Sequence, residues 1–393
     1  MDTRAIALYD LDTFFVSVER LFDSRLNGKP VLVGGTSPRS VVAGCSYEAR
    51  KFGVHSAMPM QTARRLCPEA IILRGDMNKY SKYSHIVTDI IKEQAPLFEK
   101  ASIDEHYIDI SGLDTFYNSW KWAQNLRAKI IGETGLPISF GLSVNKCVAK
   151  IAAGEAKPNG QKYVPAEQVH DFLAPLPVRK IPLIGPKCCQ TLNAMGINTV
   201  GELAAVRPSI LTARFGKVGM EIFQRANGID PRPVVPYYDE KSVSTECTFG
   251  EDVSDSAFIA HTLATMTEKL AFRLRKDNKS ASVVAVKIRY ADFSTHTLQQ
   301  TTAYTAFDHI LLDVVRSLFR KLYDRRQRIR LLGIRFGGLV AGIYSQPELF
   351  GNDSRRAKLY SSLDDIRNRY GMGAVGRASA IGDPPDYENG EAE

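Results

Sequence analysis

Three acidic residues stand at the ends of apolar, strand-like runs, where a carboxylate is costly unless a cation meets it. Asp10 follows the apolar run 5–9, and Asp104 and Glu105 interrupt two apolar runs in the segment LFEKASIDEHYIDISG. This second pattern is typical of a β-hairpin with adjacent carboxylates near its turn. If the strands are neighbours in one sheet, the three carboxylates converge, and their mutual repulsion demands divalent cations.

Carboxylate oxygens of this kind suit Mg²⁺, which keeps waters and prefers carboxylates that it shares with substrate phosphates. Two such ions about 3.5 to 4 Å apart activate an attacking hydroxyl and stabilise a leaving phosphate. Taken alone, either acidic cluster is better explained as unrelated surface acids at turns. Asp12 is a separate case, because Asp12 or Thr13 can cap the amphipathic stretch 14–21 as the start of a helix.

The elements that must position these residues alternate between apolar strands and helices up to about Val164. From residue 165 to 236 the pattern becomes helical, and a linker, VVPYYDEKSVSTE, follows. Residues 241–342 then show the order strand-helix-strand-strand-helix-strand, if TECTF is the first strand. This order predicts a small α+β sheet with helices on one side. Beyond Gly342 the composition turns polar and predicts a disordered tail.

The composition is that of an ordinary soluble protein with several domains. The 393 residues predict two to four domains, and the formal net charge of +8 favours a polyanionic partner, although solubility alone also explains it. Six scattered cysteines without a CxxC pair indicate neither a zinc site nor a disulfide framework. The sequence has no signal-peptide pattern and no apolar stretch of about 18 residues. We therefore expect a cytoplasmic protein that contacts no membrane.

Five segments occur in the order and spacing of one known family. They are YDLDTFFVSVE, CSYEARKFGVHSAMP, ASIDEHYIDISG, GLSVNKCVAKIA and EAKPNG. Over roughly residues 4–380 the chain therefore resembles the Y-family translesion DNA polymerases. The resemblance implies a multidomain α+β fold, a right-hand polymerase with palm, fingers, a helical thumb and a little finger. The implied boundaries are 1–12 and 76–165 for the palm, 13–75 for the fingers, 166–236 for the thumb, 241–342 for the little finger and 343–393 for the tail.

The resemblance also implies a catalytic centre. Asp10, Asp104 and Glu105 match the family's catalytic, metal-binding carboxylates. The backbone carbonyl of Leu11 matches a further metal ligand, whereas Asp12 matches none and keeps its interpretation as a helix start. The implied cofactors are two Mg²⁺ ions, for which Mn²⁺ can substitute.

Further positions match contacts to the incoming dNTP. Phe15 matches the steric gate, an aromatic ring that meets a 2′-hydroxyl and so favours deoxyribonucleotides. Tyr47, Arg50 and Lys157 match contacts to the triphosphate, which needs several donors. The nucleotide-binding set is Phe14, Phe15, Tyr47, Arg50 and Lys157. Phe14 is either core packing or lies under the nucleotide. Lys51 is explained at least as well by a solvated surface, whereas Lys146 fits a position near the site.

Three positions depart from the family pattern. Gly44 stands where many relatives have a threonine that touches the triphosphate, so one hydroxyl donor is missing. His106 follows Glu105 where relatives mostly have a small or apolar residue. It could hydrogen-bond near the primer end, although strand alternation favours an orientation away from Glu105. Leu183 replaces the glycine usual in the first of two helix-hairpin-helix elements, which offer backbone N–H groups to DNA phosphates.

The predicted α+β domain is rich in basic residues that alternate with apolar ones, as in VAVKIRY. The alternation places one face of the sheet on helices and leaves a basic face open, for which the backbone of primer–template DNA is the expected partner. The basic set is Arg273, Arg275, Lys276, Lys279, Lys287 and Arg289.

A short motif beyond this domain predicts a protein partner. Gln346, Leu349 and Phe350, in SQPELFG, fit the QxxLF pattern with which bacterial proteins dock on the sliding clamp. Two apolar anchors in a cleft and a hydrogen-bonding glutamine give a modest affinity that suits exchange with other clamp clients.

Together these patterns predict a monomeric, template-directed DNA polymerase that adds dNTPs to a primer 3′-hydroxyl, releases pyrophosphate and tolerates damaged templates. No segment remains for a proofreading exonuclease, so we expect low fidelity. One alternative is a catalytically weak, DNA-binding scaffold on the sliding clamp, which would lose the metal ligands that this chain retains. Another is a palm-domain enzyme such as a nucleotide cyclase, which would need neither helix-hairpin-helix elements nor a clamp motif.

Overall fold

The computed structural model describes residues 4–37, 39–113, 118–237, 239–324, 326–343 and 353–376. The contacts divide the chain into two compact units, residues 1–36 with 41–238, and residues 37–40 with 239–393. In the first unit the strands are β1 (Ile6–Leu11), β2 (Val31–Gly34), β3 (Val42–Cys45), β4 (Ile71–Leu73), β5 (Leu97–Lys100), β6 (Glu105–Asp109), β7 (Ile138–Ser143) and β8 (Gln161–Tyr163).

The helices of this unit fall into an early group and a late group. The early group is α1 (Phe14–Phe22), α2 (Tyr47–Arg50), α3 (Met60–Leu66), α4 (Met77–Gln94), α5 (Ser119–Thr134) and α6 (Lys146–Ala156). The late group is α7 (Val169–Leu173), α8 (Pro186–Ala194), α9 (Val200–Ala205), α10 (Pro208–Phe215) and α11 (Lys217–Ala226). The late group confirms the helical pattern predicted after residue 165.

A five-stranded sheet in the order β5-β6-β1-β7-β8 carries the acidic residues. Strand β1 lies between β6 and β7 and runs antiparallel to both. Its alternate residues are buried on opposite faces, since Ala7 and Tyr9 belong to the core with α4 and α5, whereas Ile6 and Leu8 pack with residues of α6. Burial on both faces explains the uninterrupted apolar run of this strand.

A second, three-stranded sheet has the order β3-β2-β4 and carries Gly44. In the late helical group, several turns contain a residue with the positive φ that favours glycine, and two of them bear on the helix-hairpin-helix pattern. Gly216 has a φ of 63° between α10 and α11, and Leu183 has a φ of 84° before α8. The exposed leucine therefore holds the conformation of the glycine that the sequence pattern leads one to expect there.

The second unit contains one sheet and three helices within its described residues. Its elements are β9 (Ser242–Val253), α12 (Ser256–Lys276), β10 (Lys279–Tyr290), β11 (Thr295–Thr305), α13 (Asp308–Leu322), β12 (Ile329–Gly337), β13 (Val340–Ala341) and α14 (Asp353–Tyr370). The main sheet has the order β11-β10-β12-β9, and α12 and α13 share one core with its inner face. This confirms the predicted strand-helix-strand-strand-helix-strand order.

The prediction of a disordered tail from residue 343 is wrong for α14. Tyr360 of this helix is buried and stacks on Phe307 and His309, with ring centroids 5.3 and 5.8 Å apart. Two of its charged side chains also face inward, since Arg367 forms an ion pair with Glu268 at 3.2 Å and Asp364 forms one with Arg275 at 2.6 Å. Part of the polar composition of this helix therefore serves ion pairs, although most of its charged residues are exposed. The clamp motif residues Gln346, Leu349 and Phe350 lie outside the described residues.

Arg275 does not belong to the predicted basic face. Its side chain is buried and forms ion pairs with Asp308 at 2.5 Å and Asp364 at 2.6 Å. Lys287 and Arg289, in contrast, lie on the face of β10 opposite to the buried Val286 and Ile288. No helix in the described part of the chain is long and apolar enough to cross a membrane.

Candidate active site

The three acidic residues meet at one end of the β1–β6 pair. Asp10 is paired with Glu105 in the antiparallel register, and the backbone N–H of Leu11 donates to the carbonyl of Asp104 at 3.0 Å. The Asp104 carboxylate accepts a hydrogen bond from the hydroxyl of Ser102 at 2.5 Å. The sheet order thus brings together residues almost a hundred positions apart, which meets the condition under which the three carboxylates converge.

Two of the three carboxylates are paired with lysines. The Nζ of Lys157 lies 2.6 Å from Asp10, and the Nζ of Lys150 lies 2.6 and 2.7 Å from the two oxygens of Glu105. Burial raises the pKa of Asp10 to about 6, against the opposing effect of Lys157. Repulsion from Glu105 and Asp104 makes a smaller contribution to this rise in the pKa. A carboxylate that is costly to ionise in the free protein gains most from a bound cation.

Sequence reasoning missed Lys150 and placed Lys146 near the site. Both belong to α6, four residues apart, yet Lys146 is buried and binds Glu99 at 2.6 and 2.7 Å, with its ammonium over the ring of Tyr107. Lys150 is partly exposed and reaches Glu105. The repeated lysine at one-turn spacing in NKCVAKIA was the available signal, because residues four apart lie on the same helix face.

A cleft beside the carboxylates is lined by predicted nucleotide-binding residues. Its walls include Phe15, Arg50, Asp104 and Lys157. The ring of Phe15 is half-buried and stacks on Tyr80, with ring centroids 4.5 Å apart. Phe14 also reaches the lining but is only 4% exposed and belongs to the core.

Gly44 lies against the ring of Phe15. A Cβ placed on Gly44 would be 3.2 Å from Cδ2 and 3.4 Å from Cβ of Phe15, closer than most such contacts. The glycine therefore leaves room for the present position of the Phe15 ring between strand β3 and Tyr80. A missing hydroxyl donor is thus not the only consequence of this departure from the family pattern.

Asp12 does not cap helix α1 with its side chain. Thr13 occupies the N-cap position, with a φ of 44°, and its side chain makes no capping hydrogen bond to the backbone of the helix. The Asp12 carboxylate is 1% exposed and accepts a hydrogen bond from the hydroxyl of Tyr47 at 3.0 Å. Burial, followed by the charge of Asp12, raises the pKa of Tyr47 above its usual range, so the phenol stays protonated. The guanidinium of Arg50 lies 5.0 Å from the centre of the Tyr47 ring.

His106 faces away from the carboxylates, as strand alternation indicated. Its ring is fully buried, and Nε2 lies 2.9 Å from the hydroxyl of Thr88 on α4. Among the described residues, Nδ1 has no hydrogen-bonding partner. Burial, with a smaller contribution from Lys100, lowers the pKa of His106 to about 3. The imidazole is therefore neutral at pH 7 and is a packing group of the palm-like sheet.

This burial predicts a specific pH dependence of stability. Between the ordinary histidine pKa of about 6.5 and the folded pKa of about 3, the unfolded chain binds a proton that the folded chain excludes. We therefore expect His106 to contribute stability above pH 6.5 and to lose about 1.4 kcal/mol of it per pH unit on acidification. In urea unfolding, the stability difference between the native protein and His106→Gln should shrink as the pH falls from 7.5 to 5. A difference that is constant with pH would contradict a buried, neutral His106.

The donor set fits a hard divalent cation. It consists of carboxylate oxygens at the end of two strands, and two of these carboxylates each have a lysine ammonium within 3 Å. Within the described ranges, no group of three or more aspartate, glutamate, histidine or cysteine side chains is arranged so that it could hold a metal ion by itself. A site of this kind suits Mg²⁺-like ions, which are bound by one or two carboxylates together with substrate phosphates.

Comparison with known proteins identifies the class of protein to which the chain belongs. The model of the impB/mucB/samB family matches residues 9–154, and the model of its C-terminal domain matches residues 240–349. The chain is 41% identical to DNA polymerase IV of Dehalococcoides mccartyi strain CBDB1, over 95% of this chain and 97% of that protein. It is 36% identical to DNA polymerase IV of Desulfatibacillum aliphaticivorans, over 98% of each chain. A solved Y-family DNA polymerase chimera matches with a TM-score of 0.76 and 25% identity, over 86% of this chain and all of the other.

The fold and the site together define a polymerase with a carboxylate-bearing palm. The chain belongs to the impB/mucB/samB family, the Y family of DNA polymerases, and it is a translesion DNA-directed DNA polymerase. Enzymes of this fold depend on divalent metal ions.

Proposed function

We propose that this polymerase adds dNTPs to a primer 3′-hydroxyl by two-metal phosphoryl transfer, copies damaged templates at low fidelity and does not proofread. The observation that carries the proposal is the pairing of Asp10 with Glu105 beside Asp104, at the edge of a cleft lined by Phe15, Arg50 and Lys157. Carboxylates and cations that border the same cleft suit a magnesium nucleoside triphosphate.

In this proposal, Asp10, Asp104, Glu105 and the carbonyl of Leu11 hold two Mg²⁺ ions. Bound there, the ions would neutralise phosphate charge and lower the pKa of the primer hydroxyl. The chain itself contributes mainly positioning and charge, as is general for phosphoryl transfer.

Two basic residues and one aromatic residue of the cleft lining are proposed to hold the nucleotide. Arg50 is exposed to the cleft and presents a planar fork that can bridge two phosphate oxygens. The Lys157 ammonium, now 2.6 Å from Asp10, is a single charge on a flexible stem that can exchange its carboxylate partner for a phosphate oxygen. Phe15 presents its ring to the same cleft as a barrier to a 2′-hydroxyl.

Primer extension tests this proposal directly. With Mg²⁺ and a single dNTP complementary to the template, we expect the native protein to add one nucleotide and release one pyrophosphate, and rNTPs to be poor substrates. With a template that carries a lesion, we expect extension without 3′-to-5′ degradation of the primer. Intact DNA binding without any extension would instead favour the clamp-bound scaffold.

The outer face of the second unit is the proposed contact to the DNA backbone. This face carries Lys287, Arg289 and Arg335, opposite to α12 and α13. Lys287 is partly neutralised by Glu246 at 2.7 Å, whereas Arg335 is exposed. Cations spaced on a polar sheet contact phosphates without reading the sequence.

Arg335→Ala should therefore weaken primer–template binding at low salt without lowering stability. We expect the slope of log Kd against log salt to decrease by about one, since one phosphate contact is lost. Fluorescence anisotropy at several salt concentrations measures this slope. The matched control is Arg320→Ala, which removes the same charge from an exposed position on α13, on the helix side of the sheet. Equal slopes for the two variants would argue against the sheet face as the DNA contact.

Two further parts of the proposal rest on the sequence. The QxxLF pattern of Gln346, Leu349 and Phe350, outside the described residues, supports docking on a bacterial sliding clamp. The scattered cysteines suit a reducing compartment, and we propose that the enzyme works as a monomer in the cytoplasm.

A further inference from the structure

Asp12 is a buried carboxylate whose oxygens both accept hydrogen bonds from distant parts of the chain. Its Oδ1 accepts from the hydroxyl of Tyr47 at 3.0 Å. Its Oδ2 accepts from the hydroxyl of Ser139 at 2.8 Å and from the backbone N–H of Asn159 at 2.6 Å. Hydrogen bonds to an ionised acceptor are about twice as strong as neutral ones, so this group fixes three partners at once.

The Asn159 contact holds the turn that carries Lys157. The next backbone N–H, of Gly160, donates to the same Ser139 hydroxyl at 3.1 Å. From the other side, the Arg127 guanidinium donates to the Asn159 carbonyl at 2.7 Å and to its side-chain oxygen at 2.6 Å. The backbone of this turn is therefore tied to β7 through Ser139, to α5 through Arg127 and to the start of α1 through Asp12.

The Tyr47 contact joins this turn to α2. Tyr47 and Lys157 are two of the residues proposed to bind the triphosphate, and they come from segments more than a hundred residues apart. The Nζ of Lys157 lies 3.9 Å from Oδ1 of Asp12, the same oxygen that accepts from Tyr47. One buried carboxylate thus sets the distance between the phenol and the ammonium.

We infer that Asp12 is a positioning residue for the triphosphate, which holds Tyr47 and the Lys157 turn in the arrangement that receives the nucleotide. The inference rests on the proposed function of Tyr47 and Lys157. It separates the two aspartates of the YDLD segment: Asp10 faces the reaction, whereas Asp12 acts through its neighbours. Loss of Asp12 should therefore weaken nucleotide binding more than it slows the chemical step.

Asp12→Asn is the direct test, because an amide in place of Oδ2 cannot accept from the Asn159 N–H. In single-nucleotide extension we expect the KM for dATP to rise on the order of tenfold, with kcat changed less than about threefold. Asp23→Asn is the matched control, since Asp23 directly follows α1 and is paired with Arg25. An unchanged KM, or a loss confined to kcat, would overturn the inference.

A double-mutant cycle distinguishes positioning from a merely structural role. If Asp12 acts through Tyr47, then Tyr47→Phe should raise the KM less in the Asp12→Asn protein than in the native one, whereas additive effects would refute the coupling. Should Asp12→Asn fail to fold, Ser139→Ala removes one donor to Asp12 without touching the cleft, and it too must raise the KM. An unchanged KM in Ser139→Ala would then refute the inference.

A binding measurement distinguishes failure of the Asp12 inference from failure of the proposed function. The protein is bound to a primer–template with a dideoxy-terminated primer, and the dATP-dependent rise in Tm is recorded. We expect a smaller rise for Asp12→Asn than for the native protein and for Asp23→Asn. Equal rises would overturn the inference. Failure of the native protein to extend a normal primer would instead overturn the proposed function.

Discussion

Asp104→Asn should abolish primer extension while leaving the protein folded. The Asp104 side chain is half-buried, and its described hydrogen bond comes from Ser102 in the same turn, which an amide oxygen can accept equally well. The substitution therefore removes a charge and little packing. Because this charge is proposed to hold the metal ions beside the transferred phosphate, we expect kcat to fall on the order of 10³-fold or more.

Asp104 directly precedes β6, and the comparison requires a variant with the same chemical change at the opposite end of that strand. Asp109→Asn serves, since Asp109 ends β6 and accepts only from the neighbouring N–H of Ser111 in the described structure. Extension is measured at saturating dNTP and DNA, and urea unfolding reports the stability of each variant. We expect Asp109→Asn to extend at the native rate. If Asp104→Asn keeps more than a tenth of the native kcat, Asp104 is not a metal-binding carboxylate of this enzyme.

The individual carboxylates could be picked out from the sequence because their signals are local. Strand β1 is apolar on both faces, and an acid at the end of such a strand stands out. In the hairpin around Asp104 and Glu105, acidic residues likewise interrupt apolar, strand-like runs. What the residues alone left open was whether the strands are neighbours, and the observed register of Asp10 with Glu105 supplies that link. Pairing between distant strands depends on the whole sheet, which no local pattern encodes.

The supporting contacts could not be predicted, because they join segments far apart in the chain. Asp12 was assigned to a helix start, yet its partners are Tyr47, Ser139 and Asn159. In the second unit, the composition predicted one basic residue on the wrong surface, again because its partners lie far away in the chain. Arg275 resembles a surface cation in the sequence, but its burial with Asp308 is decided by how the helices pack.

Phe15→Ala should remove the discrimination against ribonucleotides. The ring lies in the cleft lining and is stacked on Tyr80, whose hydroxyl in turn donates to Glu19 at 2.7 Å. This stack holds the ring in one place, and a fixed ring excludes an extra hydroxyl better than a mobile one. In the Phe15→Ala protein, which lacks the ring, we expect the ratio of kcat/KM for dATP to kcat/KM for ATP to fall on the order of 10²-fold. The fall should come chiefly from faster ATP insertion.

The test separates a steric barrier from ordinary packing. Phe22→Ala is the matched control, because Phe22 ends the same helix and is 60% exposed. It should leave the dATP-to-ATP ratio unchanged. A Phe15→Ala protein that loses stability and dATP insertion, but still rejects ATP, would show that Phe15 only packs. A gain in ATP insertion cannot be explained by a loss of core packing, because lost packing does not create affinity for a 2′-hydroxyl. Such a gain would therefore support the steric barrier.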